Sequence, residues 1–185
     1  MTIALGILAN DGVAIATDTQ IGIQDYMKSH AAKLVAARFG LNDAKKAAIA
    51  LTGAGTVGYL DRIKADLLGA FYNSPISSGV EFQVYLDHYI HNFYQNHVIP
   101  FAGYHPTERP DVALLVGLEY DGEFRLLATE KNNCRRSMHY DAVGAGAMYA
   151  HILLGRLYAP MNIDEAAMLA AYVVFHVKGG CPETR

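Results

Sequence analysis

The sequence predicts an α+β protein, a four-layer αββα sandwich of two antiparallel sheets, each covered on its outer face by a helix pair. Three observations carry this. The patterning runs strands, two helices, strands, two helices, and such blocks argue against the βαβ alternation of a parallel sheet. Asp-Gly pairs at 11–12 and 121–122 separate β-type runs and mark hairpins, because both residues tolerate positive φ. A strand running into Gly53-Ala54-Gly55 and a helix is echoed by a strand running into Gly144-Ala145-Gly146 and a helix, so similar junctions sit in two halves of the chain.

The elements follow in order. Apolar runs at 3–9 and 13–17 flank Asn10-Asp11-Gly12 and form the first hairpin. Residues 21–32 are mixed in character and read as a loop. Residues 34–39 and 47–52 form a second strand pair about a turn at 40–43. A helix over 56–72 carries Val57, Leu60, Ile63, Leu67, Leu68 and Phe71 at helical spacing, and one over 80–96 carries Phe82, Leu86, Tyr89, Ile90 and Phe93. The second has more aromatic surface than one core face needs, which suits either core or a subunit interface. After a loop at 100–110 come strands at 112–119, 124–130 and about 140–143, then helices over 148–158 and 163–177. Asn162 with Glu165 three residues on is an N-cap with its capping-box partner.

Composition excludes several classes of function. The chain has 185 residues, 52% hydrophobic and 18% charged, with a net charge of −3. That suffices for a core and is too apolar for a disordered chain. It is read as one domain over residues 1–185. No basic surplus exists to neutralise phosphates, so nucleic acid is not the expected partner. No run reaches the ~18 apolar residues that span a bilayer, and the N-terminus has no signal-peptide pattern, so no membrane partner is expected and the expected location is the cytoplasm. The two cysteines, Cys134 and Cys181, form neither a disulfide framework nor a four-thiolate zinc site.

Gly53-Ala54-Gly55-Thr56-Val57-Gly58 matches G-x-G-x-x-G, but the following helix leads into another helix rather than a parallel strand, so the dinucleotide reading fails on context. The glycines let a strand turn sharply, and free N–H groups at a helix start can hold an oxyanion. His88 and His91 stand three apart beside Asp87, without the four-residue spacing and intervening glutamate of a zincin. His176 near Cys181 has no visible orienting partner. No metal and no cofactor are expected.

Thr2 follows Met1 directly. Threonine is small, so removal of Met1 is expected, which leaves a hydroxyl and a free α-amine on one residue. An α-amine with a reference pKa near ~7.7–8.0 serves as a base at neutral pH, and an N-terminal threonine using its own amine is a known nucleophile arrangement. The first hairpin returns Asp18 toward Thr2, and Lys33 precedes the next strand. A lysine beside the threonine favours its deprotonated hydroxyl and lowers the amine's proton affinity, while Asp18 holds the lysine. A structural salt bridge explains Asp18 and Lys33 equally well when Thr2 is set aside.

With these residues the chain resembles the proteasome β-type family of N-terminal-nucleophile hydrolases. The carrying segments are Thr2-Ile3-Ala4-Leu5-Gly6-Ile7, Asp11-Gly12-Val13-Ala14-Ile15-Ala16-Thr17-Asp18, Lys33-Leu34 and Ala48-Ile49-Ala50-Leu51-Thr52-Gly53-Ala54-Gly55. The resemblance implies a threonine-type endopeptidase. Thr2 is then the nucleophile, Asp18 and Lys33 activate it, the Gly53 N–H serves the oxyanion, and Ala31, Val35, Leu51 and Ala54 line an apolar side-chain pocket. It further implies a self-compartmentalising ring of identical subunits, unfolded protein or peptide as substrate, and an ATP-dependent unfoldase as a partner. The chain departs from the pattern at Ala145, where the family has serine, and after the last helix, where it has no aspartate. The Thr2-to-Lys33 spacing is one residue short, which makes Lys28 a rival, and the family's closing strands would follow Arg185. The alternatives are a catalytically inactive scaffold subunit of such a ring, or an amidohydrolase of the same mechanism acting on a small molecule.

Overall fold

The structure is a computed structural model that describes residues 2–23, 27–42, 45–73, 77–101, 103 and 110–180. Period-two alternation sets its centre. In β1 (Ala4–Leu8), Leu5 and Ile7 point to one face, and Ala4, Gly6 and Leu8 to the other. β1 pairs antiparallel with β2 (Val13–Thr17), Ala4 opposite Thr17, and on its other edge with β10 (Tyr140–Val143). A second sheet has the order β5 (Val35–Asn42), β6 (Lys45–Gly55), β7 (Val112–Tyr120), β8 (Glu123–Glu130) and β9 (Asn133–Ser137), all antiparallel.

Helices α1 (Val57–Asn73) and α2 (Gly79–Phe93) cover the five-stranded sheet, burying Ile63, Leu67, Phe82 and Leu86 against Ile49, Leu114 and Val116. Helices α3 (Ala147–Leu157) and α4 (Ile163–Gly180) cover the three-stranded sheet, burying Leu154, Ala170 and Val173 against Ile3, Leu5 and Ile7. Each such aliphatic side chain contributes about 1.5–3 kcal/mol. Between the sheets lies a thinner layer of Ala4, Leu115, Leu126, Ala128 and Val143. Small residues there let the sheets close up: a Cβ on Gly6 would sit 2.5 Å from Leu126 Cδ1. The result is the four-layer αββα sandwich.

The local signals resolve as follows. Asp121 (φ 52°) and Gly122 (φ 80°) make the β7–β8 turn through positive φ. The first hairpin does not use that geometry. Ala9 N–H donates to Gly12 O, Asn10 N–H to Met161 O, and Asp11 accepts from Ile163 N–H. Gly12 packs closely on Ile163, whose Cδ1 would lie 2.9 Å from an added Cβ. The capping box of α4 is present in both directions, Glu165 N–H to Asn162 Oδ1 and Asn162 N–H to Glu165 Oε2, each 3.0 Å.

Several expectations are corrected. Residues expected as a loop over 21–32 include a separate hairpin, β3 (Gln20–Ile23) with β4 (Met27–His30), Gln20 opposite His30. Strand β9 was not expected, because Asn-Cys-Arg-Arg-Ser has no apolar alternation; edge pairing to β8 makes it a strand. β6 runs on through Gly53-Ala54-Gly55 instead of ending before them. Beyond Phe93 the helical path widens into a π-type turn at Tyr94–Val98. Of the two readings open for the aromatic surface of α2, core is the one found: Phe82 and Phe93 are buried, and Tyr85 and Tyr89 pack against the same cluster. Asp43 of the expected 40–43 turn, Cys181 and Met1 lie outside the described residues.

Candidate active site

The two strand-to-helix junctions converge on the start of β1. Gly55 (φ 124°) ends β6 ahead of α1, and Gly144 (φ 97°) directly follows β10 ahead of α3. A Cβ on Gly144 would lie 2.7 Å from Thr2 O and 3.0 Å from Ala54 Cβ, so only glycine allows the approach. Gly146 N–H donates to Thr2 O at 3.1 Å. Thr2 is thereby held by backbone on the β10–α3 side, half-buried, with Gly53, Ala54 and Gly55 lining a cleft at its side chain.

The hairpin register brings Asp18 to the same point. Ala4 pairs with Thr17, and one step on, Ile3 N–H donates to Asp18 Oδ1 at 3.0 Å while Asp18 N–H donates to Ile3 O at 3.1 Å. Lys33 Nζ donates to Asp18 Oδ1 at 2.9 Å and to Thr2 Oγ1 at 3.5 Å. Lys178, in the last turn of α4, donates to Asp18 Oδ2 at 3.2 Å and to Gln20 Oε1 at 2.6 Å. Burial works against the Asp18 charge. The Ile3 amide, Lys33 and Lys178 outweigh it and hold the carboxyl below its ordinary range. Asp18 is therefore a carboxylate at neutral pH, and the half-buried Lys33 is its ion-pair partner at 2.9 Å.

Thr2, Asp18 and Lys33 are thus in one cluster, and Gly53 borders it. The register between β5 and β6 ends at Val35–Leu51, so beyond Leu51 strand β6 is paired only to β7. That leaves its other edge toward the Thr2 cleft without a sheet partner among the described residues. The cleft, about 130 Å³, is lined by Thr2, Ala31, Lys33, Ala54, Val57 and Leu60, among others. Of the four residues proposed from the sequence for a side-chain pocket, Ala31 and Ala54 lie on this cleft. Val35 and Leu51 do not: they face each other across β5 and β6, and Leu51 is fully buried in the core beneath α1 and α2.

Residues 57, 60, 61 and 64 of α1 take their place, and sequence reasoning missed them. Their signal is one helical stripe starting at the Gly-Ala-Gly junction, which aims the first two turns back over the strand end. Lys64 is buried there, ion-paired to Asp61 at 2.8 Å and donating to Lys33 O at 3.5 Å. Lys178 was missed as well. Ala145 is exposed and supplies no hydroxyl next to Thr2. The side chain of the rival Lys28 lies outside the described residues.

Other nucleophile and metal candidates fare differently. Burial, then the Asp87 carboxylate, pushes the Cys134 thiol up to about 12, so it stays protonated. Asp87 is engaged by the Cys134 N–H, and His97 stacks on Tyr59 and Phe93. Among the described residues no helix is long and apolar enough to cross a membrane.

No protein-family model and no curated protein matches the chain. Solved structures do. Anbu (ancestral beta-subunit) from Yersinia bercovieri is similar with a TM-score of 0.74 at 16% identity, over 97% of this chain and 76% of that one. The Anbu complex from Pseudomonas aeruginosa, a helical assembly, is similar with a TM-score of 0.76 at 15% identity, again over 97% and 76%. Anbu from Hyphomicrobium sp. strain MC1 gives a TM-score of 0.73 at 14% identity over the same shares. At such identities the likeness shows a proteasome-like fold and nothing finer. The assignment to the proteasome β-type family of threonine peptidases is corrected accordingly: the structural neighbours are Anbu proteins, and what is shared is the fold.

Proposed function

We propose that the chain is an N-terminal threonine hydrolase that cleaves peptide bonds. The observation that carries the reading is Lys33 Nζ within reach of both Asp18 Oδ1 (2.9 Å) and Thr2 Oγ1 (3.5 Å). The longer contact is loose for a hydrogen bond, as resting sites often are, and tightens as charge develops on the hydroxyl oxygen.

Removal of Met1 frees the Thr2 amine. The amine takes the hydroxyl proton, and Oγ adds to the substrate carbonyl. Lys33 stabilises the developing charge on Oγ, and the Gly53 N–H at the open edge of β6 stabilises the carbonyl oxyanion. The C–N bond then breaks, the leaving amine takes the proton from the Thr2 ammonium, and an ester remains on Thr2. Water, giving its proton to the same amine, hydrolyses that ester. The one-sided edge of β6 past Leu51 favours an extended peptide over a compact amide, since it offers backbone pairing. Ala31, Ala54, Val57 and Leu60 favour an apolar side chain on the acyl side of the cut bond. A fluorogenic peptide panel cleaved only after charged residues contradicts that preference.

The outer face of α3 and α4 exposes Met148, Ile152, Met168 and Phe175. So much apolar surface supports an assembly of identical subunits. Light scattering at micromolar concentration tests it: a monomer contradicts it.

The deciding experiment is the intact mass after incubation with a peptide epoxyketone, which needs a hydroxyl and a free α-amine on one residue to close its double adduct. A mass without Met1 and with one adduct per chain is expected. Processed, assembled protein with no adduct, or a mass retaining Met1, overturns the reading. The second reading, a non-catalytic subunit, is favoured by Ala145 and would then stand.

A further inference from the structure

Asp18 is shared. Its Oδ1 accepts from Lys33 and the Ile3 N–H, and its Oδ2 accepts from Lys178 and the Gln20 N–H at 3.2 Å. Lys33 comes from the segment between β4 and β5, whereas Lys178 comes from the far end of α4, 160 residues from Asp18. Gln20 Oε1 accepts from Lys178 at 2.6 Å and seats the ammonium against the carboxylate. One carboxylate thus faces two ammonium groups, one on each oxygen.

We infer that Lys178 is a positioning residue for the Thr2 chemistry, acting through Asp18. The inference rests on the proposal that Thr2 is the nucleophile. Two consequences follow from the geometry. On Oδ2 Lys178 adds to the hold of the Gln20 N–H, as Lys33 adds on Oδ1 to that of the Ile3 N–H, which helps keep the carboxylate turned toward Lys33 and Lys33 toward Thr2 Oγ1. Lys178 also brings a second ammonium to the Asp18 carboxylate, 3.2 Å from Oδ2. That charge favours the alkoxide of Thr2 and disfavours protonation of its amine. Among the described residues, the other charged and titratable groups facing the cluster are Lys64 and Asp61 of α1, paired with each other, and His30 of β4, whose Nδ1 is bonded to Thr19 Oγ1. The alternative role is mechanical: a tie between α4 and the end of β2, with no effect on the nucleophile.

The test uses the processed full-length protein as wild type, Lys178→Met, Lys178→Gln and Lys178→Arg. Two readouts are taken: carbon-13 titration of the Asp18 carboxyl, and the rate of epoxyketone adduct formation at Thr2 against pH. Removing the second cation leaves the amine holding its proton to higher pH. The neutral variants therefore move the acid limb of the rate profile up by about 0.5–1 pH unit and slow labelling at pH 7 by about three- to tenfold. They also raise the Asp18 midpoint. Lys178→Arg restores both. Two neutral variants are used so that a folding failure in one leaves the other. An Asp18 midpoint that moves while the acid limb stays put overturns the positioning role and leaves a mechanical tie. If neither readout moves, the coupling itself is refuted. Wild type with no adduct at any pH refutes the Thr2 reading, and the role of Lys178 falls with it whatever Asp18 does.

Discussion

Replacing Asp18 by asparagine is the sharpest perturbation of this protein. Asp18 is 6% exposed and the Lys33 side chain 11%, so the pair sits in a poorly solvated place. Asparagine keeps the shape and can still accept from the Ile3 N–H, but its amide nitrogen then confronts an ammonium. Removing one partner of a buried pair costs about 3–5 kcal/mol, because the other charge is stranded. Lys178 is 27% exposed and can turn to water, so its share stays near the ~0–1 kcal/mol of a solvated pair. The expected loss is about 3–4 kcal/mol. In urea unfolding followed by circular dichroism this is a midpoint drop of about 1–2 M at unchanged slope. The pH dependence carries a sign. The folded Asp18 carboxyl lies below its ordinary value of 3.8, so its contribution is fully present above that value and is lost as pH falls through the folded value. The gap between wild type and Asp18→Asn should therefore be constant at neutral pH and narrow in acid. A loss under 1 kcal/mol, or a gap that persists undiminished into acid, refutes the reasoning.

Three further outcomes are expected. Gly144→Ala forces a Cβ against Thr2 O at a φ of 97°, so it should lower thermal stability by about 1–3 kcal/mol and abolish epoxyketone labelling of Thr2, read by calorimetry and intact mass. Leu67→Ala empties a fully buried position under α1 and should cost about 2–5 kcal/mol in urea unfolding while leaving the labelling rate of the folded protein intact. Cys134, with its thiol held near 12, should resist iodoacetamide at pH 8 in the native protein and react after unfolding, as peptide mapping would show.

The part of this protein legible in its sequence is the part set by neighbours in the chain. Helices α1 and α2 appear in the 3.6-residue spacing of Leu60, Ile63, Leu67, Phe82 and Leu86, because one buried stripe dictates that period. The first hairpin appears in two apolar runs about a turn, and its register alone carries Asp18 back to Ile3 and Thr2. The αββα order follows from the succession of these elements. Tertiary structure decided the rest, where the cause of an element or a contact lies far away in the chain. β9 is polar and exists only because β8 offers it an edge. Leu51 goes to the helix-covered core rather than the cleft, because the pleat sends alternate residues to opposite faces and only the packed helices reveal which face is which. Val57, Leu60, Asp61 and Lys64 reach the cleft because Gly55 turns α1 back over Thr2. Lys178 meets Asp18 across 160 residues, because α4 packs on β1 and β2, which no local pattern encodes.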